Sequence, residues 1–381
     1  MNNLHKLYEL GQSPWYDNIS RNLLDNGEIQ GLVDQGIRGL TSNPSIFKNA
    51  ITKSEAYDQQ LRDLMRPGVE FNEIYEALAI DDICRACDIL RPTFDSSDHV
   101  DGFVSLEVSP LLASDTKSTI AEAERLSGMV DRPNLYIKIP ATLEGIPAIE
   151  ETLYRGQHVN ITLIFSRKTY ERVMLAYLSA LERRAAEGKN ISDLRSVASF
   201  FVSRVDSLVD KLIQNILDAP KSNDANEAIQ PDRLRALMGK TGVANAKLAY
   251  QDYLRIFKSE RFMNLAEKGA KVQRPLWAST STKNPAYPDT LYVDNLIGPD
   301  TVNTMPGETI EAFLDHGTVA RTIDQGVSEA QAVIDGLEAA GILMDTVTQE
   351  LLDDGIEKFA EPYRSLLSAI EQKTRQMSAA G

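Results

Sequence analysis

One regularity constrains the fold of this chain more than any other. From the start to about residue 320, short runs rich in β-branched and aromatic residues alternate with longer segments whose apolar residues recur at helical spacing. This is the signature of a parallel sheet with crossover helices. Eight such runs are present: "SPWYD" ending at Asp17, "GIRGLTSNP" at 36–44, "GFVSLEVSP" at 102–110, "NLYIKIP" at 134–140, "HVNITLIF" at 158–165, "SVASFFVSR" at 196–204, "VQRPLWAST" at 272–280 and "TVNTMP" at 301–306. Eight alternations favour a closed (β/α)8 TIM barrel over an open doubly wound sheet, which usually has fewer strands. No early strand run is followed by G-x-G-x-x-G or G-x-x-x-x-G-K-[ST], so a nucleotide-binding fold lacks its main support.

Between the runs lie amphipathic segments such as 143–155 and 167–188, the second with Ser166 as its expected N-cap and Gly188 as its stop. The polar stretch "APKSNDANEAIQPDR", 219–233, reads as an insertion on the barrel rim. Beyond residue 320 the pattern is wholly helical and predicts additional C-terminal helices packed on the barrel. The expectation is one barrel domain over residues 1–381, with 320–381 as its appended helices.

Composition excludes several function classes. A formal net charge of −15 argues against nucleic acid as a partner, because a phosphate backbone must be met by a basic surface. It leaves room for a small anionic substrate held by a few converging cations. No apolar run approaches the roughly eighteen residues of a membrane span, and "MNNLHKLYELGQS" lacks the basic and apolar regions of a leader, which places the protein in the cytoplasm. The two cysteines, Cys84 and Cys87, form a C-x-x-C within "EIYEALAIDDICRACDILR", whose apolar residues repeat at helical spacing. A redox motif would want a strand-to-helix turn there, so the pair reads as helix packing. The four histidines show no ligand spacing, and neither a metal nor another cofactor is indicated.

Barrel chemistry sits at the C-terminal strand ends, and polar residues recur there. Asp17 closes the first run, Thr41 and Asn43 the second, Glu107 sits between Leu106 and Val108, and Lys138 between Ile137 and Ile139. Asn160 and Thr162 lie in the fifth, Ser199 and Arg204 in or just after the sixth, Ser279 and Lys283 around the seventh. Asn43 before Pro44 also suits a turn, and Asp17 also suits the N-cap of a helix from Ile19. Glu107 and Lys138 are harder to assign to structure alone. A buried charge is costly unless paired, so they form an ion pair or are kept for chemistry. In a dry barrel mouth burial favours the neutral amine, which can attack a carbonyl and form a Schiff base. That electron sink permits carbon–carbon cleavage without a metal, given proton carriers such as Glu107 and Asp17. Asn43, Asn160 and Thr162 would then hold substrate hydroxyls or a water, and Arg204 an anionic end.

With these residues in view, the chain resembles the transaldolases. "GLTSNPSIF" at 39–47 and "NLYIKIPATLEGIPAI" at 134–149 are similar to the two signatures of that family, and "VSLEVSP", "HVNITLIFS", "ASFFVSRVD" and "RPLWASTSTKNP" extend the likeness from about residue 13 to 310. The resemblance implies a metal-independent (β/α)8 enzyme that transfers a dihydroxyacetone unit from sedoheptulose 7-phosphate to glyceraldehyde 3-phosphate, giving erythrose 4-phosphate and fructose 6-phosphate. It implies Lys138 as the Schiff-base residue, Asp17 as the acid/base in cleavage, and Glu107 exchanging protons through a water held by Thr162. Asn43 and Asn160 would bind the dihydroxyacetone moiety, Thr41 and Ser199 line it, Phe201 shape the wall near Asp17, and Arg204 bind phosphate. Where many members carry an arginine on the seventh strand this chain has "STSTKN", so Ser279 and Lys283 stand in as the second phosphate contact. The 219–233 stretch and the helical tail suggest the longer bacterial subfamily, as a monomer or homodimer. The alternatives are a Schiff-base aldolase that cleaves fructose 6-phosphate and releases both fragments, and a non-catalytic sugar-phosphate-binding barrel in which Lys138 is only an ion-pair partner.

Overall fold

The computed structural model describes residues 1–219 and 230–380. Eight parallel strands close in sequence order into one barrel: β1 (Gln12–Tyr16), β2 (Gly39–Leu40), β3 (Phe103–Glu107), β4 (Leu135–Pro140), β5 (Val159–Ile164), β6 (Ser196–Phe201), β7 (Arg274–Ala278) and β8 (Thr301–Met305). Helices cover the outside. The strands therefore read as nearly continuous apolar runs, because both faces are buried. Alternate residues separate into two packed groups. Trp15, Phe103, Tyr136, Val197, Leu276 and Val302 pack together, while Ile137, Ile139, Ile161, Phe200, Trp277 and Met305 join the core that includes the helices. The first group fills the barrel interior, as period-two alternation requires.

Two strands depart from regularity in ways that shape the site. The second run shortens to Gly39–Leu40, although pairing continues as Thr41 N–H donates to Tyr16 O at 2.9 Å. A Cβ at Gly39 would lie 2.5 Å from the Trp15 indole, so only glycine lets that ring fill the space beside β2. β5 carries a register shift between Ile161 and Ile164, with Leu163 in the left-handed region at φ +59. Bulges of this kind re-aim neighbouring side chains, and the side chain next to this one is Thr162.

Helix ends follow the chemistry expected of them. The helix Arg167–Ala186 is capped by Ser166, whose oxygen accepts from Lys168 and Thr169 N–H. Ser20 caps Arg21–Asp25, which leaves Asp17 outside any capping role. Cys84 and Cys87 are free thiols inside the helix Phe71–Ser96. Of the 219–233 stretch, residues 220–229 lie outside the described residues. Pro231–Arg235 is a short helix. After β8 come Gly307–His316, Val327–Ala339 and the 37-residue helix Met344–Ala380. The last buries Leu351, Gly355, Phe359, Tyr363, Leu366 and Ile370 along one stripe, and this stripe faces the barrel mouth and the helices beside it.

The N-terminal end of the barrel is closed by charge. Asp101, just before β3, is fully buried. Its Oδ2 takes Arg38 Nε at 2.8 Å and Ser13 Oγ at 2.9 Å, and its Oδ1 takes Arg274 NH1 at 3.1 Å. Arg274 NH2 also donates to Thr301 O at 2.8 Å. Burial pushes the Asp101 carboxyl up, but Arg274, Arg38 and its hydrogen bonds outweigh burial and hold it below the usual carboxylate range.

Candidate active site

At the opposite end, register brings the acid and the lysine together. Glu107 pairs with Lys138 across β3 and β4, and Lys138 with Asn160 across β4 and β5. Side chains at paired positions point to the same face of the sheet, so all three enter the barrel. Lys138 Nζ lies 3.3 Å from Glu107 Oε2, with side-chain exposures of 6% and 5%. The angle is poor for a hydrogen bond, and Glu107 Oε2 has no hydrogen-bond partner. The ammonium donates instead to Ser42 O at 3.2 Å. The ion pair weighed from the sequence therefore exists. Beside it, however, lies an open pocket that a purely structural pair would not need.

That pocket has a volume of about 270 Å³. Asp17, Thr41, Asn43, Lys138, Thr162, Ser199, Phe201, Arg204, Ser279 and Lys283 all line it. Asn160 and Glu107 do not. Asn160 lies a layer deeper, where its amide donates to Ser105 Oγ at 3.0 Å and its carbonyl accepts from Ser199 Oγ at 2.7 Å. Glu107 sits behind Lys138, facing a water-sized cavity of about 20 Å³ that Tyr75, Ser109 and Tyr363 also line. Hollows of about 300 and 340 Å³ occur elsewhere on the surface, so size alone does not single out this pocket. The convergence of Lys138, Asp17, Arg204 and Lys283 on it does.

Among the buried atoms without a hydrogen-bond partner are Thr162 Oγ1, Glu107 Oε2 and Arg204 NH1. Native proteins leave few such groups, and each calls for a ligand, a water or a reaction. Asp17 is held by Thr41 Oγ1 at 2.6 Å, and the Thr41 hydroxyl lies 2.6 Å from Thr304 Oγ1. Burial raises the Asp17 carboxyl despite the Thr41 hydrogen bond and the nearby Lys138, Lys283 and Arg204. Burial raises Glu107 in the same way, against the pull of Lys138. Two carboxyls poised toward their neutral forms beside a lysine suit proton transfer.

The cations Arg204 and Lys283 define the pocket's outer end. Arg204, in the first turn of the helix Ser203–Asp218, lies with its Cζ 5.2 Å from the Phe201 ring centroid. Lys283 Nζ donates to Ser281 Oγ. Ser279 sits at φ +56, and its hydroxyl is 2.9 Å from Ser203 Oγ. Such a conformation is strained for a residue with a Cβ and occurs at ligand clamps. Asn43 has a structural role as well, since its Oδ1 accepts from Ile46 N–H and caps the helix Pro44–Lys53.

Sequence reasoning missed Thr304, although "TVNTMP" places it at a strand end like the others. Glu308, Ser281 and Phe359 also line the pocket. No sequence signal marks Phe359, which arrives on a helix remote in the chain. Among the described residues, no group of three or more His, Cys, Asp or Glu side chains is arranged to hold a metal ion, and no helix is long and apolar enough to cross a membrane.

Comparison with known proteins gives a consistent result. A family described as transaldolase/fructose-6-phosphate aldolase matches residues 14–370. A protein named Transaldolase 2 from Nostoc sp. is 47% identical over 381 residues, covering 99% of each chain. Transaldolases of Acidothermus cellulolyticus and Trichodesmium erythraeum are 49% and 44% identical, covering 96% and 99% of this chain and 95% and 99% of theirs.

Proposed function

This chain belongs to the transaldolase/fructose-6-phosphate aldolase family, and from that membership and the site's geometry we propose that it is a transaldolase working through a Schiff base on Lys138. The reaction moves a dihydroxyacetone unit from sedoheptulose 7-phosphate to glyceraldehyde 3-phosphate, yielding erythrose 4-phosphate and fructose 6-phosphate. The observation that carries this reading is a lysine buried at the floor of a polar pocket, beside a carboxyl that burial pushes toward its neutral form.

The ion pair supplies a first step. One proton moved from Lys138 Nζ to Glu107 turns two buried charges into two neutral groups, which burial favours. The amine then attacks the ketose carbonyl. Protons for carbinolamine formation and collapse pass through Glu107 and a water on the unpaired Thr162 hydroxyl. Asp17, oriented by Thr41, takes the proton from the hydroxyl at the bond being cleaved. The aldose phosphate departs and leaves an enamine on Lys138. Attack of that enamine on the acceptor aldehyde reverses the steps. The iminium formed on Lys138 is the electron sink, so the reaction needs no metal.

Binding roles are assigned to the pocket residues. Asn43, Thr41 and Ser199 hold the hydroxyls of the three-carbon unit, with Asn160 orienting Ser199 from the layer below, Phe201 walls it, and Arg204, Lys283 and Ser279 receive phosphate at the outer end. The family's own description joins a transferase with an aldolase, so the test must separate them. Fructose 6-phosphate with erythrose 4-phosphate should give sedoheptulose 7-phosphate and glyceraldehyde 3-phosphate. Little glyceraldehyde 3-phosphate should form without the acceptor. Equal release with and without it would instead assign an aldolase.

A further inference from the structure

We propose that Phe359, on the helix Met344–Ala380, is a positioning residue of the reaction, covering the nucleophile on Lys138 so that water does not reach it before an acceptor arrives. This inference rests on the Schiff-base reading and deepens it. The Phe359 ring centroid lies 5.4 Å from Lys138 Nζ and 6.0 Å from Arg204 Cζ. One aromatic ring thus faces both the reactive nitrogen and the guanidinium assigned to phosphate, while Phe201 approaches the same guanidinium at 5.2 Å. The residue is only 5% exposed. None of the strands supplies it.

A second observation comes from the backbone. One turn before Phe359, Gly355 presses against the bulge of β5. A Cβ there would lie 3.0 Å from Leu163 Cδ2 and 3.5 Å from Phe165 Cε2. Glycine is a poor helix former, and its use here lets the helix seat against the bulge that follows Thr162. The position of Phe359 is thereby tied to the strand that aims a proposed catalytic hydroxyl.

The chemistry states what such a cover controls. After carbon–carbon cleavage the lysine-bound enamine has two fates. Attack on the acceptor aldehyde forms the new carbon–carbon bond, and the oxygen anion takes a proton. Alternatively, a proton adds to the nucleophilic carbon, water adds to the resulting iminium, and loss of the amine releases dihydroxyacetone and restores Lys138. Both paths end with water adding to an iminium and release of the amine, so they part at the enamine, where only the second needs a proton on the nucleophilic carbon before the acceptor arrives. An apolar ring over the site keeps water from delivering that proton.

The test measures glyceraldehyde 3-phosphate from fructose 6-phosphate with and without erythrose 4-phosphate, for the wild type, Phe359→Ala, Phe359→Leu and Gly355→Ala. Failure of the wild type to show acceptor-dependent product would overturn the proposed function itself. Given wild-type transfer, Phe359→Ala should raise acceptor-independent release relative to transfer by about tenfold. Gly355→Ala should move it in the same direction by less, and Phe359→Leu should return it toward the wild type. An unchanged partition in folded Phe359→Ala, or equal loss of both activities, would overturn the inference. So would Phe359→Leu releasing as much as Phe359→Ala, since that would assign the effect to the ring and the cations rather than to cover. Should Phe359→Ala not fold, an unchanged partition in Gly355→Ala would decide against it.

Discussion

The two ends of this barrel bury carboxyls of the same kind and treat them oppositely. At the N-terminal end, Asp101 receives two arginines and a serine and is held below the usual carboxylate range. At the C-terminal end, Asp17 has one hydroxyl partner and Glu107 one off-line lysine, and both are pushed up. Asp101 is the most deeply buried of the three and yet the one held low, so partners decide. At the N-terminal end Asp101, Arg38, Arg274 and Ser13 satisfy one another, although Gln12 Oε1, Asn134 Oδ1 and Gln273 Oε1 there lack hydrogen-bond partners. At the C-terminal end the unpaired Thr162 Oγ1 and Arg204 NH1 belong to residues that line an open pocket, where a substrate can complete the network.

Breaking each end should therefore give opposite phenotypes. The largest expected effect is Lys138→Met, which should lower kcat by about 10⁴-fold or more, since the nucleophile is gone. Its thermal midpoint should change little, because Glu107 can take up a proton once its partner is removed. Next comes Asp17→Asn, expected to reduce kcat by roughly 10²–10⁴-fold through loss of the acid/base. It should also raise the thermal midpoint near neutral pH. The sign follows from the raised folded value: stability conferred by the protonated carboxyl is present at low pH and lost as pH climbs through the folded value, and asparagine avoids that loss.

At the other end, Asp101→Ala should cost about 3–5 kcal/mol in denaturant unfolding, because it strands Arg38 and Arg274. The folded fraction should retain its kcat. His158, just before β5, sharpens the contrast further. Burial, with Arg195 adding to it, lowers its imidazole from the ordinary 6.5 to about 4. The folded state therefore favours the neutral ring. Stability should be fully present above about pH 6.5 and fall by about 3 kcal/mol as pH drops toward 4, a fall that denaturant titrations at stepped pH would detect and that His158→Gln should flatten.

Much of this was legible in the sequence because the barrel imposes its own period. All eight runs contain strands, five of them within a residue or two at each end, while 102–110 and 196–204 run three residues past their strands and 36–44 departs most. There the run contracts to Gly39–Leu40 because the Trp15 ring occupies the space beside it and Asn43 already caps a helix, neither of which shows in a β-like stretch read alone. The site residues were visible as polar residues interrupting apolar strands, and Thr304 could have been found by the same rule. Depth was not visible. Asn160 lies a layer below the pocket and reaches it only through its hydrogen bond with Ser199, and alternation gives a residue's face but not its height. Phe359 was beyond reach, since a helix more than two hundred residues from Lys138 reveals its docking only through packing.

The central claim is that the Lys138 amine becomes covalently bound to the ketose. Incubation with fructose 6-phosphate, reduction with borohydride and peptide mass spectrometry test it directly. A three-carbon adduct on Lys138 alone is the predicted result, whereas no adduct, or one scattered over surface lysines, would contradict the account and leave Lys138 an ion-pair partner of Glu107.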